Sequence, residues 1–474
     1  MQTKIYKIFP FVLLLSILSN ADVQAQWVEL PSTITASFGN CSVAHQGKIY
    51  FTGGPQTQFV TNTTYNTKLE ILDLATNSVS MANGGLSVGR MAISAIAHEG
   101  KLYFAGGYKY VNTAAFIQVF NVVDVYDILS GTWSTKNLSV ARGEVSAAVV
   151  DGKIMFAGGV TVSNNQRVVL SVIDVYDPAN NTWTSDNLSQ ARSDCKAGVI
   201  DKKVWFCSGT TNWDAYIHTT KVDVYDSNTG LWTTDEVSLG REGGRVATVG
   251  KYLLLAGGFN QSSGTIGKTD RVDILNTETN IWTQATLSSP RTGLTSATLG
   301  NKVYFIGGGN YNISTNFLNT STNIVDIFNA DNGTWTAGTL NKNRTQHACA
   351  AWGNKIAVGG GWWAEQSQTT GSVEVFTDPT ILAADEANTV DWAFEVFPNP
   401  AENYLNIKYS NDLLAEKAES ITIFDVNGKL IHFYPKDEIL KSNLDINGII
   451  PGVYFLMIRA DIGFSISRRF VVMR

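Results

Sequence analysis

The chain has 474 residues, with 16% charged and 11% aromatic positions, 42 Gly, 10 Pro and a net charge of −6. Few charges with many aromatics and glycines suit an all-β protein with tight turns. The negative balance disfavours non-specific binding to nucleic acid or an anionic membrane.

The first 25 residues read as an export signal. Lys4 and Lys7 precede a short apolar run from Phe9 to Leu18, and Val23-Gln24-Ala25 forms a small-residue cleavage site, so the mature chain is expected to begin at Gln26. The run is too short for a bilayer, and no later segment offers about 18 continuous apolar residues, so no transmembrane segment is expected.

From residue 26 to 378 the chain repeats itself. A small-residue doublet recurs at Gly53-Gly54, Gly106-Gly107, Gly158-Gly159, Ser208-Gly209, Gly257-Gly258, Gly307-Gly308 and Gly360-Gly361, at intervals of about 50 residues. Each doublet ends an apolar run such as KIYFTGG or KVYFIGG. Turn signals such as Asp151-Gly152 and Gly300-Asn301 precede the runs and mark two-residue hairpins. A variable loop follows, then a strand of the VDVYD type, then in five units a Trp: Trp133, Trp183, Trp232, Trp282 and Trp335. Nine residues beyond each Trp stands an Arg, at Arg142, Arg192, Arg241, Arg291 and Arg344, and Arg90 fills the same column.

One unit thus holds four short strands. These columns resemble the kelch repeat, which implies a β-propeller. The last unit has no following Trp, while Trp27-Val28-Glu29-Leu30 is a fourth strand without a unit of its own. Pairing the two closes the ring and removes open edges. Seven blades are expected, with six as the alternative. The doublet glycines serve backbone geometry and the Trp column packs between blades.

The loop after each doublet and the segment carrying the Arg column belong to one rim. Its aromatics are Tyr108, Tyr110, Trp213, Tyr216, Phe259, Tyr311, Trp362 and Trp363, among Asn, Thr, Ser and Gln. Flat rings beside amides and hydroxyls suit glycan or peptide recognition, unless they fold down onto their own loops. The six arginines, if they converge, favour a carboxylate or sulfate ligand; otherwise each bonds backbone carbonyls. Glu144, Asp194 and Glu242 stand one or two residues beyond the column, as neutralising or acid/base groups.

Copper-oxidase chemistry on a kelch-like propeller needs two His, two Tyr and a Cys–Tyr crosslink. His45, His98, His218, His347 and His432 do not assemble such a set, so neither metal nor cofactor is expected. Cys41, Cys195, Cys207 and Cys349 show no CxxC spacing and read as free thiols. A Cys41–Cys349 disulfide between the first and last units would lock the ring; Cys195 and Cys207 point to opposite sides of paired strands.

Residues 379–392 form a small, polar linker, after which the repeat stops. The remainder, 393–474, reads as short strands with turns such as Asn427-Gly428, expected for a small Ig-like β-sandwich. Phe397-Pro398-Asn399-Pro400, Asp425-Val426-Asn427-Gly428-Lys429, Pro451-Gly452-Val453-Tyr454-Phe455 and Arg468-Arg469-Phe470-Val471-Val472 resemble the type A sorting domain of the type IX secretion system of Bacteroidetes. The resemblance implies that this machinery is a partner and that the protein is secreted or held at the cell surface.

Three functions remain open: a glycan- or protein-binding module, which is favoured; an extracellular carbohydrate-active enzyme using Arg and carboxylate groups near the channel; and a structural surface protein. No nucleophile elbow, phosphate loop or metal cluster supports catalysis.

Overall fold

The computed structural model describes residues 26–57, 63–111, 113–262, 265–312, 317–379, 381, 394–409, 418–426, 429–436, 443–460 and 465–473. The leader, most of the expected linker and the Asn427-Gly428 turn lie outside them.

Seven antiparallel sheets share one four-strand design. The second unit is typical: Ser94–His98, Lys101–Ala105, Val122–Asp127 and Thr132–Asn137 pair in chain order. The sixth is extended by Gly309–Asn312. Burial follows position within each sheet. The second strand is buried nearly throughout, as in Leu102, Tyr103, Phe104 and Ala105, which explains its unbroken apolar run. The fourth strand is largely exposed, and its Trp lies half-buried against the second and third strands. Trp133 also donates its Nε1–H to the Asn83 carbonyl of the preceding unit at 3.0 Å. Trp232 and Trp282 reach back similarly, to Asp186 at 2.6 Å and Asp235 at 2.7 Å.

The first strands neighbour one another in a single cycle, with Cys41–His45 between Ser94–His98 and Ala348–Trp352. The seventh sheet comprises Ala348–Trp352, Lys355–Gly359, Val373–Thr377 and the N-terminal strand Trp27–Glu29. Trp27 pairs with Phe376 and Val28 with Val375, and the Trp27 and Phe376 rings lie 5.4 Å apart. The strand left over at the start of the repeat completes its last unit.

Hydrogen bonds around the rim form the same cycle. The second residue of each doublet donates to the Arg-column carbonyl of the next unit: Gly54 to Arg90, Gly107 to Arg142, Gly159 to Arg192, Gly209 to Arg241, Gly258 to Arg291 and Gly308 to Arg344, at 2.9–3.1 Å. Gly361 donates to Ser37 at 2.7 Å, returning to the first unit. These glycines have φ near +110° in most units, and a Cβ on Gly107 would lie 2.6 Å from the Met91 carbonyl. Ser208 takes the first doublet position at φ 56°; its hydroxyl donates to the Arg241 carbonyl at 2.9 Å and accepts from the Arg241 N–H at 2.8 Å.

The variable loops are themselves short ribbons in most units, as in Val160–Ser163 with Gln166–Val169. Each is anchored by a bridge between the residue after the Arg column and the residue after the doublet, for instance Met91 with Tyr108 and Glu242 with Phe259.

The described residues between 394 and 473 form two further antiparallel sheets on one apolar cluster including Phe394, Leu405, Ile421, Ile423, Leu456 and Phe470. The FPNPA stretch is tied to the final strand: Asn399 Oδ1 accepts from the Val471 N–H at 2.9 Å, and Ala401 bridges Val472. Among the described residues no helix is long and apolar enough to cross a membrane.

Candidate functional site

The six arginines do not reach the rim surface. Arg90, Arg142, Arg192, Arg241, Arg291 and Arg344 are at most 2% exposed. Each pairs with the acid of its own third strand: Asp124, Asp174, Asp223, Asp273, Asp326 and Glu374, at 2.6–2.8 Å. Further donors go mainly to backbone carbonyls, as Arg90 bonds those of Gly106, Val88 and Phe104, while the Nε of Arg192, Arg241 and Arg344 makes no hydrogen bond among the described residues. Of the two readings of the column, burial and these partners favour bonding within the blades over an anion ligand. A buried guanidinium needs a carboxylate and several carbonyls to offset its desolvation, and these take up most of its donors. The signal was present in the sequence, because the acid recurs in phase with the arginine. In the first unit Glu70 keeps the acid's place, but Thr35 supplies the donors, through its N–H at 2.6 Å and its hydroxyl at 2.9 Å.

The aromatics divide. Tyr108, Phe259 and Trp362 stand directly after doublets, bridge to the residue after the Arg column and are 3–5% exposed. Trp362 packs edge-on against Phe38 at 5.7 Å, away from the cavity described below. Trp363 is half-buried and also lies apart from it. The Tyr311 side chain lies outside the described residues. Tyr110, Trp213 and Tyr216, all half-buried, gather with Tyr108 and Phe259 along one wall. Tyr108 meets Tyr110 at 5.5 Å and Trp213 at 6.5 Å, and Tyr216 meets Phe259 at 5.9 Å, all edge-on.

This wall faces a cavity of about 610 Å³ at the centre of the ring. Its border is a belt of residues two beyond the Arg column: Ala92, Glu144, Asp194, Gly243, Gly293 and Gln346, with Gly39 from the first unit. All seven have φ between 50° and 64°. Five of these N–H groups reach back to the carbonyl of the previous member, among them Asp194 to Glu144 at 3.2 Å, Gln346 to Gly293 at 2.8 Å and Gly39 to Gln346 at 2.7 Å. At one step Gly243 donates instead to the Asp194 carboxylate, at 2.6 Å. Left-handed backbone favours glycine, and three units use it. Glu144 and Asp194 hold that conformation with a side chain, and such exceptions cluster at functional sites.

Glu144, Asp194 and Glu242, from three successive units, all line the cavity. Glu144 accepts from Trp213 Nε1 at 2.8 Å, which joins the aromatic wall to the carboxylates. Burial, then the charges of Asp194 and Glu242, push the Glu144 carboxyl up to about 8. Asp194 pairs with Lys196. Glu242 accepts from the Thr210 hydroxyl, and His218 Nε2 lies 3.7 Å from it. Arg245, bonded to the Gly244 carbonyl at 3.0 Å, enters the cavity; burial pulls its guanidinium down and Asp194 pulls it back up. His347 bonds Thr295 at 2.6 Å and is held well below its ordinary value by burial and by Arg344 and Arg245. The opposite border is small and polar, with Asn40, Thr292, Thr345 and Gln346. The three carboxylates stand beside the Arg column in the sequence without a reason to converge; the belt supplies it for Glu144 and Asp194, and the bridge to Phe259 holds Glu242 beside them. Arg167, Lys196 and Arg245 were not singled out, because no repeating column marks them.

All four cysteines are free thiols. Cys41 and Cys349 lie on neighbouring first strands, and Cys41 donates its S–H to the Thr52 carbonyl at 3.5 Å. Burial pushes both thiols up to about 12.

Comparisons with known proteins agree with these columns. Residues 39–258 match the KLHDC2/KLHL20/DRC7 Kelch-repeats domain, residues 290–339 the Kelch motif, and residues 395–473 the Secretion system C-terminal sorting domain. No curated protein matches. Among solved structures, one titled "Structure of YjhT" is 16% identical over 62% of this chain and 96% of its own, with a TM-score of 0.47. With kelch models along the repeat and a sorting-domain model at the end, this chain is a kelch-repeat protein carrying a C-terminal type IX sorting domain.

Proposed function

We propose that residues 26–378 form a seven-bladed kelch propeller that binds a small saccharide at its channel mouth, and that residues 393–474 form an Ig-like sandwich directing export. The seven rim hydrogen bonds and the pairing of Trp27–Glu29 with Val373–Thr377 support the blade count. A sorting domain of this kind implies delivery to the cell surface or the extracellular space, after removal of residues 1–25.

One observation carries the binding reading: three carboxylates that break the repeat meet an aromatic wall in one cavity, joined by the Trp213–Glu144 bond. Ring faces cover the apolar C–H surface of a sugar while carboxylates and amides bond its hydroxyls. A cavity of about 610 Å³ suits a few sugar units rather than a protein segment. A glycan array probed with the mature chain tests this. Trp213→Ala should weaken any hit at least about tenfold. Binding unchanged by Trp213→Ala and by Tyr216→Ala would refute it.

A second reading, a carbohydrate-active enzyme, is favoured by the raised Glu144 carboxyl beside two further acids, the arrangement that general acid catalysis uses. Product release from an array-positive oligosaccharide, lost in Glu144→Gln, would support it.

A further inference from the structure

On the saccharide reading above, the charged groups of the cavity narrow the class of ligand. Six charged side chains line the space, three of each sign: Glu144, Asp194 and Glu242 against Arg167, Lys196 and Arg245. We propose that the site selects uncharged saccharides and that Arg245 reads them, donating to a hydroxyl oxygen whose own proton goes to a cavity carboxylate.

Most of these groups are already answered from within the chain. Asp194 holds Lys196 and accepts from the Gly243 N–H at 2.6 Å. Glu242 accepts from the Thr210 hydroxyl, and Glu144 accepts from Trp213 Nε1 at 2.8 Å. The Arg167 guanidinium bonds Asp214 at 3.2 Å and lies over the Trp213 ring at 4.5 Å. A ligand bringing a charge of either sign would give up its own hydration to enter a set that is already balanced.

Arg245 is the exception. It bonds the carbonyl of its chain neighbour Gly244 at 3.0 Å and makes no ion pair among the described residues, which leaves guanidinium donors for a ligand. It opens the first strand of its unit, a place held by Ser94, Ser146, Thr295 and Ala348 in other units and by Lys196 in the unit before. The scaffold therefore does not require a cation at this position.

The mixture of signs excludes the charged alternatives. A ligand carboxylate drawn to Arg245 would enter beside Asp194, which bonds Gly243 two residues before it. A ligand ammonium drawn to the acids would meet Arg245 and Lys196 in the same space. A hydroxyl suits both: it accepts from a guanidinium and donates to a carboxylate, which neither charged group does. Neighbouring hydroxyls on a sugar ring thus run from Arg245 to the acids.

A glycan array carrying neutral, amino and uronic-acid saccharides, probed with the mature chain, tests the proposal, with isothermal titration of the strongest hit. That hit should be uncharged, and its affinity should change less than about threefold between about 50 and about 500 mM NaCl. Serine stands at the same place in two other units, so Arg245→Ser should fold; it should weaken the neutral hit at least about tenfold. The same variant should bring amino saccharides among the hits, because the cavity then carries one negative charge without a partner. Equal losses for every saccharide class would mark a structural role and overturn the assignment of Arg245. A charged strongest hit, or neutral binding unchanged by Arg245→Ser, overturns the proposal and leaves the saccharide site intact. A blank array removes the saccharide reading as well.

Discussion

Replacing Asp273 by Ala isolates what the Arg column does. Arg241 is 2% exposed and has three partners: Asp273 Oδ2 at 2.7 Å, the Leu255 carbonyl at 2.7 Å and the Leu239 carbonyl at 2.8 Å. Removing the carboxylate strands a buried guanidinium, at about 3–5 kcal/mol. It also removes the acceptor for the Ser238 N–H, now 3.1 Å from Oδ1, for roughly 1 kcal/mol more. Urea unfolding of Asp273→Ala should therefore show a loss of about 4–6 kcal/mol. The double variant Arg241→Leu with Asp273→Ala should lose less than Asp273→Ala alone, since no charge is then buried unpaired. A loss below about 1 kcal/mol in the single variant would refute a structural role for the column and return the arginines to the list of candidate ligands.

Trp27→Ala should destabilise by about 3–5 kcal/mol, read by urea unfolding, because Trp27 is buried against Phe376 and holds the fourth strand of the seventh sheet. Gly258→Ala should cost far more than Gly152→Ala by the same measurement: a Cβ on Gly258 meets the Glu242 carbonyl at 2.6 Å, whereas one on Gly152 meets nothing within 4 Å. The Glu144 carboxyl is harder to ionise folded than unfolded, so its contribution favours folding at low pH and is lost as pH rises from its ordinary value to about 8. The stability of Glu144→Gln relative to the parent should accordingly grow by at most about 1.4 kcal/mol per pH unit over that window and level off above it. Thiol titration should find Cys41 and Cys349 slow to react in the folded protein, given thiols at about 12, and all four cysteines reactive after denaturation.

What repeats in this sequence is scaffold, and scaffold is what was legible. The doublets, the Trp column and the unpaired Trp27 strand each answer a backbone or packing requirement that recurs from unit to unit, so their spacing carries the topology. The Arg column recurs for the same reason, and its partner acids recur with it; regularity itself marked both as structural. The cavity is harder to read because it is made where units differ. Glu144 and Asp194 stand where three other units have glycine, and only the belt reveals that those positions border one space. Trp362 looked like a rim residue, yet it packs against Phe38, although Tyr108 and Phe259 at the equivalent position line the cavity. Trp213, farther along its loop, reaches the site.

The account holds that the irregular positions of a regular ring converge on one ligand site. A crystal structure of the mature protein with an array-positive oligosaccharide tests this most directly. Sugar density within hydrogen-bonding distance of Glu144 and against Trp213 or Tyr216 is the predicted result. Density on the far side of the ring from these residues, or over Trp363 and the outer strands, would contradict it.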